Sequence, residues 1–327
     1  MRCLYCGKEI TEKASGEEKK CSWHKKCIRH FFNVSKMPKL DLSKEQLEKL
    51  ANETVNQGLT VPGVQKKLSL HLSEEEGGRL TIVDYPTGYI LKPQAEEFDM
   101  LPEYENLAMS MAELAGIQVV PHGLIKMEDK YVYITKRIDR DVENKTVRLY
   151  AMEDFCQLSE RLTQDKYRGS YEGCGRIIKK YSSRPGIDLS ELFLRIVFSY
   201  VIGNSDMHLK NFSLIEEQPG SRRYYLSAAY DMLPVNIVMP EDNEQLALTL
   251  NGKKKNIRKK DFLIFARTIG LQDRATEKIV KKICTLQDKF LMQCDTSYLT
   301  AEKKEQVKEL ICKRISIIND VKCVLRN

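Results

Sequence analysis

Apolar positions along the chain change their period near residue 140. Before it, short runs bounded by turn residues predict strands at 67–72, 80–83, 89–92, 119–125 and 131–136. Ser43-Lys-Glu-Gln46 has the capping-box pattern and opens a predicted helix over 43–56 that Gly58 ends, and 102–115 reads as a helix ended by Gly116. From about Asp141 onward apolar residues recur at three-and-four spacing, which predicts helices at 190–202, 260–268, 275–293 and 301–321. Two Asp-bearing motifs interrupt this helical part, the second at the end of a strand-like run that leads into Asp231. The pattern predicts an α+β chain, strand-rich first and mainly helical afterwards, with no internal repeat.

Composition narrows the class. The 327 residues are 42% hydrophobic and 30% charged, ordinary for a globular protein with room for two lobes. No apolar run approaches the roughly 20 residues of a membrane span, and no apolar stretch follows the basic start, so the chain reads as cytoplasmic. The surplus of 53 basic over 46 acidic residues is too small to argue for nucleic acid. Lys253-Lys-Lys255-Asn-Ile-Arg258-Lys-Lys260 reads as a solvated turn before a helix, because no aromatic residue is interleaved to stack on bases.

Of the ten cysteines, those from Cys156 onward fall in apolar helical patterns, where a reduced thiol acts as a small hydrophobe. The others cluster at the start. Cys3-x-x-Cys6 and His24-x-x-Cys27 are two ligand pairs with the spacing that lets tight turns present four side chains to one zinc, with Cys21 as a substitute for one of them. A site with four protein ligands and no open position is structural.

The segment Gly203-Asn-Ser-Asp206-Met-His208-Leu-Lys210-Asn211 sets a carboxylate and an amide at D-x-x-x-x-N spacing. Phosphoryl transfer uses that spacing: the Asp orients and deprotonates a hydroxyl, and the Asn holds a metal on the nucleotide phosphates. Asp231 supplies a second metal-binding carboxylate. His208, between Asp206 and Lys210, reads as ordering the loop by hydrogen bonding. Lys92, at the end of an apolar strand, is a candidate for the phosphates, paired to Glu105 on the following helix, with Glu103 a competing partner. Thr60-Val-Pro-Gly63-Val64-Gln65 stands between a helix and a strand, a place for backbone amides to cover phosphates.

Together these residues resemble the HipA family of serine/threonine kinases, toxin halves of bacterial toxin–antitoxin pairs. The match runs from about Thr60 to Gly252. It includes Gly63-Val-Gln65, Ile90-Leu-Lys92-Pro, Lys136-Arg137-Ile138-Asp139-Arg140, Glu153-Asp-Phe-Cys-Gln157, Asn204-Ser-Asp206-x-His208-x-Lys210-Asn211, Tyr230-Asp231-x-x-Pro and Leu246-Ala-Leu-x-Leu-Asn-Gly252. The resemblance implies a two-lobed kinase-like fold, with a Cys/His zinc segment at 1–32, an N-lobe at 40–138 and a helical C-lobe at 139–327. It implies Asp206 as catalytic base, Asn211 and Asp231 as magnesium ligands, and Lys92, His208 and Lys210 around the nucleotide. Lys136 to Ile138 would bind adenine through the backbone, and Thr60 would be an inhibitory autophosphorylation site. The function implied is ATP- and magnesium-dependent transfer to a Ser or Thr of a protein, such as an aminoacyl-tRNA synthetase, with a helix-turn-helix antitoxin as partner. The alternatives are a catalytically silent kinase-fold binding module and a small-molecule kinase.

Overall fold

A computed structural model describes residues 1–40, 67–73, 78–81, 88–143 and 146–319. They fall into two compact units, Met1–Asn106 with Val120–Arg148, and Leu107–Val119 with Leu149–Asn327. The predicted helix at 43–56 and the loop carrying Thr60, Gly63, Val64 and Gln65 lie outside the described residues.

The first unit is built on six strands: β1 (Lys39–Leu40), β2 (Leu68–Leu72), β3 (Arg79–Thr81), β4 (Tyr89–Lys92), β5 (His122–Met127) and β6 (Lys130–Lys136). Their order is β1-β3-β2-β4-β6-β5, with β1 parallel to β3 and the other pairs antiparallel. Leu68 and Leu70 alternate with an exposed Ser69, as one covered face requires, whereas β5 and β6 each bury four consecutive residues, so both of their faces are covered. β5 starts at His122 rather than at 119 because Pro121 cannot donate to a ladder. Its carbonyl instead accepts from Lys136 N at 3.0 Å and Thr135 Oγ1 at 2.9 Å.

The Cys/His segment covers the outer edge of this sheet. Its helices, Gly16–Cys21 and Lys25–Phe32, are short, and the first is fixed by a Ser15–Glu18 capping box. Leu4 O accepts from Leu124 N at 3.0 Å and Trp23 Nε1 donates to Leu124 O at 2.8 Å, so both backbone groups of an edge residue are engaged. Trp23 also stacks on Tyr5 and meets Phe31 and Phe32. Only glycine fits at 123, where a Cβ would come within 3.0 Å of the indole ring.

The second unit is organised by the helix Pro185–Ile202, whose residues from Asp188 onward are almost all buried. The helix starts five residues earlier than its apolar period suggests, because Pro185 suits the first helical turn. Asp188 anchors it, accepting from Ser182 Oγ, Arg184 Nε and Leu226 N. Helices Tyr171–Tyr181, Asp273–Thr285 and Ala301–Asn319 pack around it. The 275–293 pattern is two helices, broken at Leu286, and the second, Gln287–Asp295, turns Phe290 edge-on to Phe198. Tyr171–Tyr181 carries no strong sequence signal because Gly173 and Gly175 lower its propensity. Gly175 is there for close approach: a Cβ would lie 2.5 Å from Ile269 Cγ2. After a two-stranded pair, β7 (Arg140–Glu143) and β8 (Thr146–Leu149), come three antiparallel strands, β9 (Met152–Asp154), β10 (Ser213–Glu216) and β11 (Tyr224–Leu226), in the order β11-β10-β9. Among the described residues no helix is long and apolar enough to cross a membrane.

Candidate active site

Helix Pro185–Ile202 ends at Gly203, at φ +76°, and the chain turns straight into the loop carrying Asp206 and Asn211. The loop is held from inside. Asn204 is fully buried and accepts Asp206 N at 3.2 Å, and Asp206 O accepts both His208 N at 2.8 Å and Asn211 Nδ2 at 2.9 Å. The last bond commits the amide N–H of Asn211 to the loop, so Oδ1 is the atom it offers a cation. Tyr171 OH donates to Met207 O and Leu209 N donates to Lys166 O, which ties the loop to the preceding segment. The Asp206 carboxylate itself stays half-exposed.

Three side chains outside the predicted set complete this loop. Tyr167 OH donates to Asp206 Oδ1 at 2.5 Å, and its ring meets the His208 imidazole edge-on at 5.1 Å. Burial, with Asp206 beside it, pushes the Tyr167 phenol up, so it remains a proton donor. His208 Nε2 is 3.9 Å from Asp206 Oδ1; the backbone of His208, rather than a short side-chain bond to that carboxylate, closes the turn. Asp154 pairs with Lys210 at 2.8 Å. Tyr230 OH donates to Lys210 O at 3.1 Å and exchanges a hydrogen bond with Ser213 Oγ. Tyr230 thereby ties the neighbouring Asp231 to the Asp206–Asn211 loop.

Asp231 is not at a strand end. β11 stops at Leu226, and Ala229 makes only an isolated parallel bridge to Val119. Asp231 adopts φ +57°, the left-handed region that Asp tolerates better than branched residues. The Tyr230 hydroxyl bonds and that backbone conformation, not a ladder, set the carboxylate's position.

In the first unit the structure chooses between the two glutamates. Lys92 Nζ meets Glu105 Oε1 at 2.5 Å, with both side chains buried, and lies 5.4 Å from the centroid of the Tyr133 ring. Glu103 is on a different face of the helix Leu101–Ala115. Burial, with a contribution from Asp99, raises its carboxyl to about 7. At the end of β6, Arg137 N donates to Gly88 O, and Lys136 and Ile138 are half-buried. Asp139 there is gripped by Arg137 and Arg140, each through Nε and Nη2. Partial burial opposes its charge, but the two guanidinium groups outweigh it and hold the carboxyl at about 2.

Cys3, Cys6, His24 and Cys27 converge, with all four ligand atoms within 4.8 Å of one another. His24 Nδ1 is 3.4 Å from Cys6 Sγ and 3.8 Å from Cys27 Sγ, while Nε2 is 3.2 Å from Glu9 O. A tetrahedral zinc with Zn–S near 2.3 Å needs ligand separations of about 3.8 Å, and a carbonyl on the far imidazole nitrogen is the usual orienting contact. The donor set fits. Burial, then the neighbouring Cys3 and Cys6 sulfurs, push the Cys27 thiol up, a repulsion that a divalent cation relieves. Cys21 is outside the set, its Sγ directed at the carbonyls of Glu18 and Trp23. No described cysteine is in a disulfide, and Cys156, Cys174, Cys294 and Cys312 are buried.

The fold is shared with two solved kinase-like proteins. HipA of Shewanella oneidensis, seen in complex with HipB and operator DNA, aligns with a TM-score of 0.68 at 16% identity, over 84% of this chain and 73% of that one. The proinflammatory kinase CtkA of Helicobacter pylori aligns at 0.55 and 16% identity, over 78% and 94%. Residues 59–290 match the HipA-like C-terminal domain, and the chain belongs to that family. A candidate kinase of Haemophilus influenzae is 24% identical over 307 residues, 86% of this chain and 88% of its own. Candidate kinase Y4dM of Sinorhizobium fredii is 34% identical over 212 residues, and there the chain spans only 49% of the relative's length.

Proposed function

We propose that the chain is a serine/threonine protein kinase that transfers the γ-phosphoryl group of ATP. The observation that carries this reading is the Asp206 carboxylate, fixed by its own backbone and holding a hydroxyl, that of Tyr167, as it would hold an acceptor. An acceptor Ser or Thr would donate to the same carboxylate, which orients its oxygen toward phosphorus and takes its proton as the P–O bond forms. Lys92, held in place by Glu105, would grip the nucleotide phosphates. Asn211 Oδ1 and the Asp231 carboxylate would hold magnesium, which supplies charge neutralisation on the phosphates when bound. The backbone of Lys136 to Ile138 would take the adenine, with the Asp139 clamp stiffening that segment. Cys3, Cys6, His24 and Cys27 would hold a structural zinc.

The DNA-bound partner of the Shewanella protein motivates a further part of the reading, that a helix-turn-helix antitoxin restrains this kinase; that its acceptor is a translation protein rests on the family resemblance alone. Incubation with γ-labelled ATP and magnesium, alone and with a lysate, tests the core reading. A labelled lysate protein bearing phosphoserine or phosphothreonine is the expected result. Label only in small molecules, or none anywhere, would overturn it.

A further inference from the structure

A cavity of about 410 Å³ opens in the second unit against the loop just described. Leu209 of that loop forms one wall, and Ser159, Arg161, Arg176, Lys180 and Tyr181 complete much of the lining. Three of these lining residues are cations. A Cβ at Gly169 would lie 3.4 Å from Arg161 Nη1 and one at Gly173 would lie 3.7 Å from Arg176 Nη2, so each guanidinium rests over backbone bared by a glycine. Lys180 Nζ lies 4.7 Å from the centroid of the Tyr181 ring.

None of these three cations makes an ion pair with a described residue. The nearby carboxylates are engaged elsewhere: Asp165 with Arg168 at 3.1 Å, Asp154 with Lys210 at 2.8 Å, and Glu172 with Asn251 N at 2.8 Å. Glu160 is exposed and contributes a field at Lys180 without contact. Like charges gathered on one concavity repel, and an anion seated among them relieves that repulsion while gaining charge-assisted hydrogen bonds.

We propose that this cavity is an anion subsite for the peptide acceptor, taking a phosphoserine or an acidic side chain near the residue to be phosphorylated. The proposal rests on the kinase reading for the word acceptor, but not for the binding. Leu209 stands three residues from Asp206, so their Cα atoms are at most about 11 Å apart. An extended peptide advances about 3.3 Å per residue, which puts the anion roughly two to four residues from the acceptor hydroxyl. A nucleic-acid strand fits less well. The cavity accommodates a side chain rather than a backbone track, and its one aromatic ring, Tyr181, is covered by Lys180 instead of being open for stacking.

Three fluorescein-labelled peptides, identical except for phosphoserine, glutamate or glutamine three residues from a serine, test this by fluorescence anisotropy on the full chain without ATP. A labelled single-stranded RNA of similar length forms a fourth arm. The phosphoserine peptide should bind at least about tenfold more tightly than the glutamine peptide, and Arg161→Ala and Arg176→Ala should each remove most of that preference. Both side chains are exposed, so neither substitution threatens the fold. Glutamate matching phosphoserine would identify a carboxylate as sufficient. Equal binding of the glutamine peptide, unchanged preference in both variants, or RNA binding that the same substitutions abolish would overturn the proposal. The same peptides incubated separately with labelled ATP and magnesium keep the two readings apart: anion preference without any transfer to the serine would count against the kinase reading alone, and transfer without anion preference against the subsite alone.

Discussion

Removing the Glu105 carboxylate takes from Lys92 the anion it meets in the interior of the first unit. The pair is dry, with Lys92 4% and Glu105 1% exposed, and its atoms are 2.5 Å apart. Breaking a buried pair on one side removes the buried ammonium's carboxylate and costs about 3–5 kcal/mol, whereas replacing both partners with apolar groups is often close to neutral. Glu105→Ala should therefore destabilise by at least about 3 kcal/mol, and Lys92→Met combined with Glu105→Leu should recover most of that loss. Trp23 is the only tryptophan and lies in the first unit, so its fluorescence during urea unfolding reports this unit alone. With a slope of about 1.5–2 kcal/mol/M, the midpoint should fall by roughly 1.5–2 M in Glu105→Ala. The double variant should return toward the wild-type midpoint yet lose ATP binding, which separates the pair's structural cost from its function. A midpoint for Glu105→Ala within about 0.3 M of wild type would show that water reaches the ammonium and refute the argument.

Asp206→Asn should keep magnesium-dependent ATP binding and lose transfer, while Asp231→Ala should lose both; equal nucleotide affinity of Asp231→Ala and wild type by calorimetry would contradict the division of roles. Elemental analysis of protein purified without chelator should find close to one zinc per chain. Cys6→Ser should abolish it and shift the Trp23 emission, since the indole packs on the same segment. Glu103 adds a pH dependence. Its carboxyl is raised from 4.5 to about 7 in the folded state, so the folded chain binds the proton more tightly and stability is complete below pH 4.5. It should fall by about 3 kcal/mol as pH climbs to about 7, and Glu103→Gln should flatten that slope in urea titrations at pH 5 and 7.5.

Much of the candidate site is legible locally because its chemistry is local. Asp206 and Asn211 are brought together by one loop closed on its own backbone, Cys3 and Cys6 by one tight turn, and His24 and Cys27 by the first turn of a helix, so spacing along the chain already encodes the geometry. The short apolar runs of β4 and β6 and the long periodic helices are equally readable, since burial imposes apolar side chains on the residues that form it. Where two local answers were equivalent, the sequence left them open. Glu103 and Glu105 both stand on the first turns of one helix, and only the direction in which that helix presents them to β4 gives Lys92 to Glu105. Cys21 is a possible substitute for any one of the four zinc-type ligands until the folded segment directs its sulfur at the carbonyls of Glu18 and Trp23. Tyr167 on Asp206, Asp154 on Lys210 and Tyr230 on the Lys210 carbonyl join residues far apart in sequence, as do the shared cavity lined by Arg161, Arg176 and Lys180 and the packing of Phe290 on Phe198 past the helix break at Leu286. Such contacts depend on the packing of whole elements, which no short stretch of chain contains, and so only the tertiary structure decided them.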